Sequence, residues 1–238
     1  MTSIVTIIFA LAACEIVAGR EFSTRLRVVQ DVTLERGNVN FDYLKYLIVG
    51  THPNYPLKRS LVQFHPLQVH GCDHVKRAYL FLYYAYAHKA SFMSNAQVPS
   101  FPRQIVAHQV VKYWSESQAT STKRYGNHYW DKQWLNLGTD AFFYPTSSGV
   151  TITPGVNHPG FYPIDVTSAV RNWKNGQSNF GLLIRATNEV RQGRDFRFYS
   201  KSAYSFQHPY ISVICESNSS GGNGGIVPVS GGGIGPAV

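Results

Sequence analysis

The stretch YPIDVTSAVRNWKNG at residues 162–176, followed by FGLLI at residues 180–184, decides the fold class. Its order of residue types predicts a strand, a short helix near residues 166–174, a glycine stop and a second strand. This pattern specifies secondary structure and contains no catalytic or binding motif. The chain therefore says more about its architecture than about its activity.

The helix in this stretch has recognisable ends and one apolar face. Asp165 is placed as N-cap, because its carboxylate can accept hydrogen bonds from the free amides of the first turn. Val166, Val170 and Trp173 then share one side at helical spacing. Gly176 suits the left-handed stop or the turn after it. We expect the helix to close an open end of the fold, with Trp173 buried.

The remaining elements of the chain are predicted to be strands. Runs rich in β-branched and aromatic residues are separated by proline, glycine and asparagine turn signals. They lie at residues 45–50, 60–65, 75–87, 105–114, 180–186, 196–199 and 210–215. This spacing is typical of an all-β protein, an antiparallel β-sandwich or jelly roll.

Three zones are expected along the chain. Residues 1–19 contain a nearly continuous apolar run and small residues at the end, which indicates a secretory signal peptide. The rival interpretation is a membrane anchor, but the run is shorter than the roughly 20 residues that span a bilayer. Residues 20–215 form the sandwich domain, and residues 216–238 form a flexible Gly/Ser-rich tail. The sequon at Asn218 is a candidate glycosylation site.

The cysteines limit the covalent framework to one bridge. Cys14 leaves with the signal peptide, so Cys72 and Cys215 remain. In a secreted protein this pair predicts a disulfide. Two buried free thiols are the alternative.

The formal net charge of +9 at pH 7 favours anionic partners. For a secreted protein these are anionic polysaccharide or acidic matrix components, and we expect neither nucleic acid nor a membrane as partner. Solubility alone explains the charge equally well, because net charge constrains association but not specificity.

The deciding stretch also carries a family resemblance. The run from Asp165 to Thr167, with Trp173, Gly176 and the Phe-Gly-Leu of residues 180–182, resembles the DNRLRE-type domain family, and a looser similarity extends from Val28 to Cys215. The resemblance implies a secreted β-sandwich related to non-catalytic carbohydrate-binding modules. It implies fold more firmly than function, and the matching residues look structural. No binding residue is therefore transferred.

No catalytic motif stands out, and we expect no enzyme and no cofactor. The carboxylates are scattered, whereas a glycosidase needs two facing one bond. His65, His70 and His74, with Cys72 and Asp73, are candidate zinc or copper ligands, but their spacing matches no standard pattern. A turn at His65-Pro66 explains that histidine better than a metal site does. Calcium held by backbone carbonyls and an aspartate is also possible and leaves little trace in sequence.

Two groups of residues are candidates for ligand binding. Tyr79, Phe81 and Tyr83 alternate with apolar residues, so they share one face of a strand and can stack on sugar rings. The alternative is that this strand is central and both of its faces are covered. Arg191, Arg194 and Arg197 lie in a second Arg-aromatic segment, and their guanidinium groups suit carboxylate and sulfate. A solvated basic face is the alternative there.

These features predict a secreted, non-enzymatic extracellular-matrix protein, for example of a shell or skeletal organic matrix, that binds acidic polysaccharide or matrix polymer. The alternative is a lectin-like module that recognises one defined polysaccharide.

Overall fold

A computed structural model of the chain describes residues 20–52, 55–67, 72–89, 102–189 and 194–217. The predicted signal peptide, Cys14, His70, Arg191 and Asn218 lie outside these ranges. The strands are β1 (Arg20–Leu34), β2 (Tyr46–His52), β3 (Tyr55–Phe64), β4 (His74–Lys89), β5 (Arg103–Gln109), β6 (Lys123–Tyr125), β7 (His128–Tyr129), β8 (Val150–Ile152), β9 (Gly160–Asp165), β10 (Leu182–Ala186), β11 (Arg194–Tyr199) and β12 (Tyr210–Ser217). Helix α1 covers Thr167–Lys174, and a 3₁₀ turn covers Ser205–Gln207.

The strands form two antiparallel layers, which confirms the predicted all-β sandwich. In sheet A, the long strand β4 pairs with β9 on one edge and with β11 and β12, end to end, on the other. β2 and the first half of β1 complete this sheet. Sheet B consists of the second half of β1, followed by β3, β10, β5 and β8. β1 thus passes from one layer to the other. β12 continues to Ser217, so the first two residues of the predicted tail belong to the last strand.

The main core lies between the two sheets. Strand β4 contributes Leu80 and Leu82, which are fully buried, and sheet B contributes Val62 and Ile184 from the opposite side. Burial of side chains this size contributes about 1.5–3 kcal/mol each. The predicted disulfide between Cys72 and Cys215 is confirmed, and it ties the residues before β4 to the end of β12 across 143 positions.

Helix α1 covers part of the free edge of β4. β9 pairs only with residues 79–84 of β4, so the first residues of that strand need other partners. Thr167 Oγ1 accepts a hydrogen bond from the amide of Ala78, and the Arg171 guanidinium donates to the carbonyls of Val75 and Lys76. The helix therefore replaces a strand at this edge, where unpaired backbone groups are a liability.

The structure corrects two details of the predicted helix. The N-cap is Val166, and Asp165 is the last residue of β9, although its carboxylate accepts the amide of Thr167 (2.8 Å). Trp173 is only partly buried, because it packs at the rim of the core. The helix lies along the β4 edge, and its residues Ala169 and Val170 are buried in the main core. Gly176 has the left-handed conformation expected of a stop residue (φ +95°).

The outer face of sheet B lies under a cap formed by residues 110–144. Leu61 and Leu183 point outward from sheet B, and Trp114 and Trp130 of the cap cover them. The sequence predicts Trp114 at the end of a strand, but β5 ends at Gln109 and Trp114 belongs to the cap. Its side chain is 1% exposed. The second core makes sheet B a fully covered middle layer.

Gly181 lies where the backbone passes very close to strand β3. Its φ is +80°, and a β-carbon there would lie 2.2 Å from the carbonyl oxygen of Val62. Only glycine fits such a backbone approach. The Phe-Gly-Leu run at residues 180–182 thus has a structural cause.

No helix in the described part of the chain is both long enough and apolar enough to span a membrane.

Candidate functional site

The outer face of sheet A carries aromatic side chains that no other part of the described chain buries completely. Five strands contribute them, each from its outward phase. We call the set the aromatic row, and its members are Phe81, Tyr210, Phe161, Tyr83, Tyr199, Tyr46 and Tyr86. Strand β4 supplies the middle of the row, while its opposite face forms the main core. The strand is therefore central, and its aromatic face is also open to solvent.

One end of the row is a compact group of rings. Phe81 stacks on Tyr210 with centroids 4.9 Å apart and planes inclined by 13°. Phe161 meets Tyr210 edge-on at 5.3 Å and Tyr83 edge-on at 5.0 Å. These are favourable geometries for aromatic pairs. Phe161 is 36% exposed, so the group presents ring surface to solvent.

The row continues without a break to the other end. Tyr83 contacts Tyr199 at 5.5 Å, Tyr199 contacts Tyr46 at 5.2 Å, and Tyr46 contacts Tyr86 at 5.7 Å. Burial, together with the neighbouring Tyr199 and Tyr86 phenols, raises the pKa of Tyr46. Tyr46 is therefore a neutral phenol at neutral pH and does not repel an anion.

An arginine lies at each end of the row. The Arg25 guanidinium lies 4.5 Å from the ring centroid of Tyr210, and that of Arg197 lies 5.3 Å from Tyr86. Arg197 also donates to the Tyr86 hydroxyl (2.9 Å) and to buried Asp195 (3.2 Å), which fix its position. Cation–π pairs of this kind contribute about 0.5–1 kcal/mol when exposed. The row is thus bounded by positive charge.

Two concave areas flank the loop between β11 and β12. The larger cavity, of about 560 Å³, lies at the Tyr210 end and is lined by Arg25, Arg27, Ser205 and His208. The smaller one, of about 290 Å³, lies at the Tyr46 end and includes Lys45. Both therefore combine aromatic rings of the row with basic side chains.

The structure brings together some of the predicted binding residues and separates others. Phe81, Tyr83 and Arg197 belong to the row. Tyr79 lies on the same face of β4, with intermediate exposure, opposite Ser212 and Asp165 of the neighbouring strands. Arg194 has the phase of the buried Phe196 and lines a separate concave area beside Tyr84. Arg191 lies outside the described residues.

Sequence reasoning missed most of the row. Tyr46, Tyr86, Phe161, Tyr199 and Tyr210 come from segments that are far apart in the chain, and only the strand order makes them neighbours. The available signal was weak: each is a single aromatic residue in the phase of its strand opposite the core.

The comparisons with known proteins add no assignment. No family model matches this chain, and no curated protein matches it. The resemblance to DNRLRE-type domains thus stays a prediction.

The histidine-rich segment does not form a metal centre in the described residues. Cys72 is oxidised in the disulfide and cannot act as a thiolate ligand. Across the described ranges, no group of three or more histidine, cysteine, aspartate or glutamate side chains is placed to hold a metal ion.

Two buried titratable groups lie away from the row. Burial raises the pKa of Asp31 to about 7, although the amide of Lys201 donates to its carboxylate (2.6 Å). Burial lowers the pKa of His108 to about 4, and its ring contacts the carbonyl of Phe142 and the guanidinium of Arg185. Both groups lie where the layers of the fold join, and their shifted pKa values make the stability of the fold depend on pH.

Proposed function

We propose that this protein is a secreted, non-enzymatic structural protein of an extracellular matrix, such as a shell or skeletal organic matrix, and that it binds acidic polysaccharide along the aromatic row. The single observation that carries the proposal is the unbroken ring contact from Tyr210 to Tyr86 with Arg25 and Arg197 at its ends. Sugar rings stack on aromatic faces through their apolar C–H surface, and guanidinium groups pair with carboxylate or sulfate.

The charge of the chain and its disulfide support the same conclusion. The net charge of +9 attracts polyanions over a distance of about 8 Å at physiological ionic strength. The Cys72–Cys215 bridge fits an oxidising compartment outside the cytosol. Charge would bring the polymer to the surface, and the rings would hold it once salt screens the ions.

Affinity chromatography on heparin-coated beads across a salt gradient tests the proposal. The variant Tyr83→Ala/Phe161→Ala removes two central rings without changing the charge. We expect its dissociation constant at 0.5 M salt to rise about tenfold, which corresponds to about 1.4 kcal/mol. The matched control is Tyr144→Ala, which removes a ring that is 78% exposed on the cap.

A second variant separates the contribution of charge from that of the rings. Arg25→Gln removes one cation and should lower retention at low salt more than at high salt, since exposed charges are screened. If the double ring variant elutes with the parent protein at every salt concentration, the row is not the binding surface. Elution of the parent protein together with a charge-matched basic protein would contradict specific binding altogether.

A lectin-like module that recognises one defined glycan is the second candidate. The observation that favours it is the cavity of about 560 Å³ at the Tyr210 end, where Arg27 and His208 could contact a chain terminus or a branch. A glycan array distinguishes the two functions. Binding of one defined sugar that depends on Arg27 and survives high salt favours the lectin, whereas graded binding to many acidic polymers favours the matrix protein.

A further inference from the structure

A second group of rings and cations lies on the cap, at the hairpin formed by β6 and β7. We call it the hairpin cluster, and its members are Tyr113, Lys123, Arg124, Tyr125, His128 and Tyr129. Tyr125 is the centre of this cluster, with Tyr113 edge-on at 5.1 Å and the His128 ring at 4.3 Å. The cluster shares no residue with the aromatic row.

The cations of the hairpin cluster are placed like those of the row. Arg124 lies 5.2 Å from the ring centroid of Tyr125, and Lys123 lies 5.5 Å from that of Tyr129. Within the described ranges, neither cation has a carboxylate oxygen within 4.0 Å. Their charge therefore remains open to an external anion. Tyr113 and Tyr129 are 47% and 55% exposed, so ring surface is accessible as well.

The hairpin is held rigidly, as a binding surface requires. Trp130 follows β7, is 5% exposed in the second core, and donates from its indole to the carbonyl of Thr120 (3.0 Å). The amide of Ser115 donates to the carbonyl of Arg124 (3.0 Å), and the amide of Gly126 donates to the side chain of Gln118 (2.7 Å). The rings of the cluster thus need little ordering when a ligand binds, which reduces the entropic cost of association.

The two surfaces belong to different layers of the protein. The row lies on the outer face of sheet A, and the cap lies on the outer face of sheet B, with both sheets between them. The two surfaces have no side chain in common, so each can contact a polymer chain of its own. Two separate polymer chains can occupy the two surfaces at once.

We propose that the hairpin cluster is a second site for anionic polysaccharide and that a single molecule of this protein cross-links two polysaccharide chains. The inference rests on the proposed function of the row for one of its two contacts. Two sites per molecule provide avidity on a dense polymer network, since binding at one surface raises the effective concentration at the other. An acidic protein as partner of the hairpin cluster is an outcome that the test below would reveal.

The test is a capture experiment on heparin-coated beads that are saturated with the full-length protein and washed. Fluorescein-labelled soluble heparin is then added, and both bead fluorescence and released protein are measured. A protein with two sites captures the label and stays on the bead. A protein with only one site is released from the bead when labelled heparin competes for that site. The bead then gains no fluorescence.

The decisive variant is Lys123→Gln/Tyr129→Ala, which removes a cation and an exposed ring outside both cores. We expect a loss of at least tenfold in captured label, whereas retention on the unlabelled bead falls less than threefold because the row still binds. The control is Phe143→Ala/Tyr144→Ala, which removes two exposed cap rings, and it should capture label like the parent protein.

The outcomes separate this inference from the proposed function. If the hairpin variant captures as much label as the parent protein, or if the parent protein captures none, cross-linking through the hairpin cluster is wrong. If the bead-bound protein captures labelled polyglutamate but no labelled heparin, the polysaccharide assignment is overturned in favour of an acidic protein. If Tyr83→Ala/Phe161→Ala binds beads normally while the hairpin variant does not, the row proposal fails and the hairpin cluster remains a site.

Discussion

The two outer faces of the sandwich differ in exposure: the cap covers the outer face of sheet B, and the described residues leave that of sheet A largely uncovered. On sheet B, Leu61 and Leu183 are completely buried beneath Trp114 and Trp130 of the cap. On sheet A, the seven rings of the aromatic row are partly or fully exposed, and no segment in the described residues covers them. Aromatic content alone therefore does not identify a binding surface. What matters is whether the chain supplies its own cover, because uncovered apolar patches of this kind mark interaction sites.

The first prediction concerns the covered face, where the largest effect is expected. Trp114→Ala removes a fully buried ring and leaves the carbonyl of Phe180 without its indole donor (2.8 Å). A large-to-small substitution of this kind costs about 3–5 kcal/mol, and the lost hydrogen bond places it near about 5 kcal/mol. Urea denaturation with the disulfide intact measures it. Trp173→Ala, at the rim of the main core, is the matched control and should cost less than half as much.

The second prediction concerns Asp31, which lies on β1 where that strand passes between the layers. Its pKa in the folded protein is raised to about 7 by burial, from the ordinary value of 3.8. The folded state thus favours the protonated carboxyl. The stabilising contribution is complete below pH 4 and is lost as the pH rises to 7. At about 1.4 kcal/mol per unit of pKa, the loss is about 4 kcal/mol.

Asp31→Asn isolates this effect, because the amide keeps an acceptor for Lys201 and cannot ionise. The difference in unfolding free energy between variant and parent should increase in favour of the variant between pH 4 and pH 8. A constant difference across that range would show that the folded carboxyl has an ordinary pKa. The opposite titration of His108, whose contribution is lost as the pH falls from 6.5 to 4, is common to both proteins and cancels.

The sequence predicts the sandwich well because its strands are runs of β-branched and aromatic residues separated by turn signals. It does not predict β1, since the two halves of Arg20–Leu34 pair with different sheets and face different surroundings. It also places Asp165 as N-cap, whereas hydrogen bonding to β4 holds that residue in β9. In both places tertiary pairing overrides the local pattern, and single-sequence reasoning has no access to it.

The site is harder to predict than the fold, for a geometric reason. Phe81, Tyr83 and Arg197 can be found from alternation alone, because each shares a strand with buried neighbours in the other phase. The rings of Tyr46 and Tyr210 join them only through the order of strands in sheet A. A residue pattern gives the face of one strand, and the neighbours of that face depend on topology.

The third prediction concerns Gly181, where the backbone passes very close to strand β3. Gly181→Ala introduces left-handed strain of about 1–2 kcal/mol and a collision with the Val62 carbonyl, for a total near about 3 kcal/mol. Gly155→Ala is a close control, since its φ is also positive (+81°) but no atom lies within 4 Å of the added carbon. Thermal unfolding of both variants separates the collision from the strain. Equal losses would mean that the close approach at Gly181 is unimportant.

The last prediction returns to the open face, where the effect on stability should be smallest. Tyr83→Ala removes a partly buried ring that contacts Phe161 and Tyr199 and belongs to neither core cluster. We expect a loss of about 1 kcal/mol, the typical value for aromatic pairs at a surface, together with weaker binding to heparin beads. Urea denaturation and bead retention of one protein preparation measure both quantities. A loss as large as that of Trp114→Ala would show that the rings of sheet A stabilise the fold as a third core, and the contrast between the two faces would then disappear. A small loss with impaired binding is the combination that a surface kept open for a ligand requires, because its rings gain their main apolar contacts only when the ligand arrives.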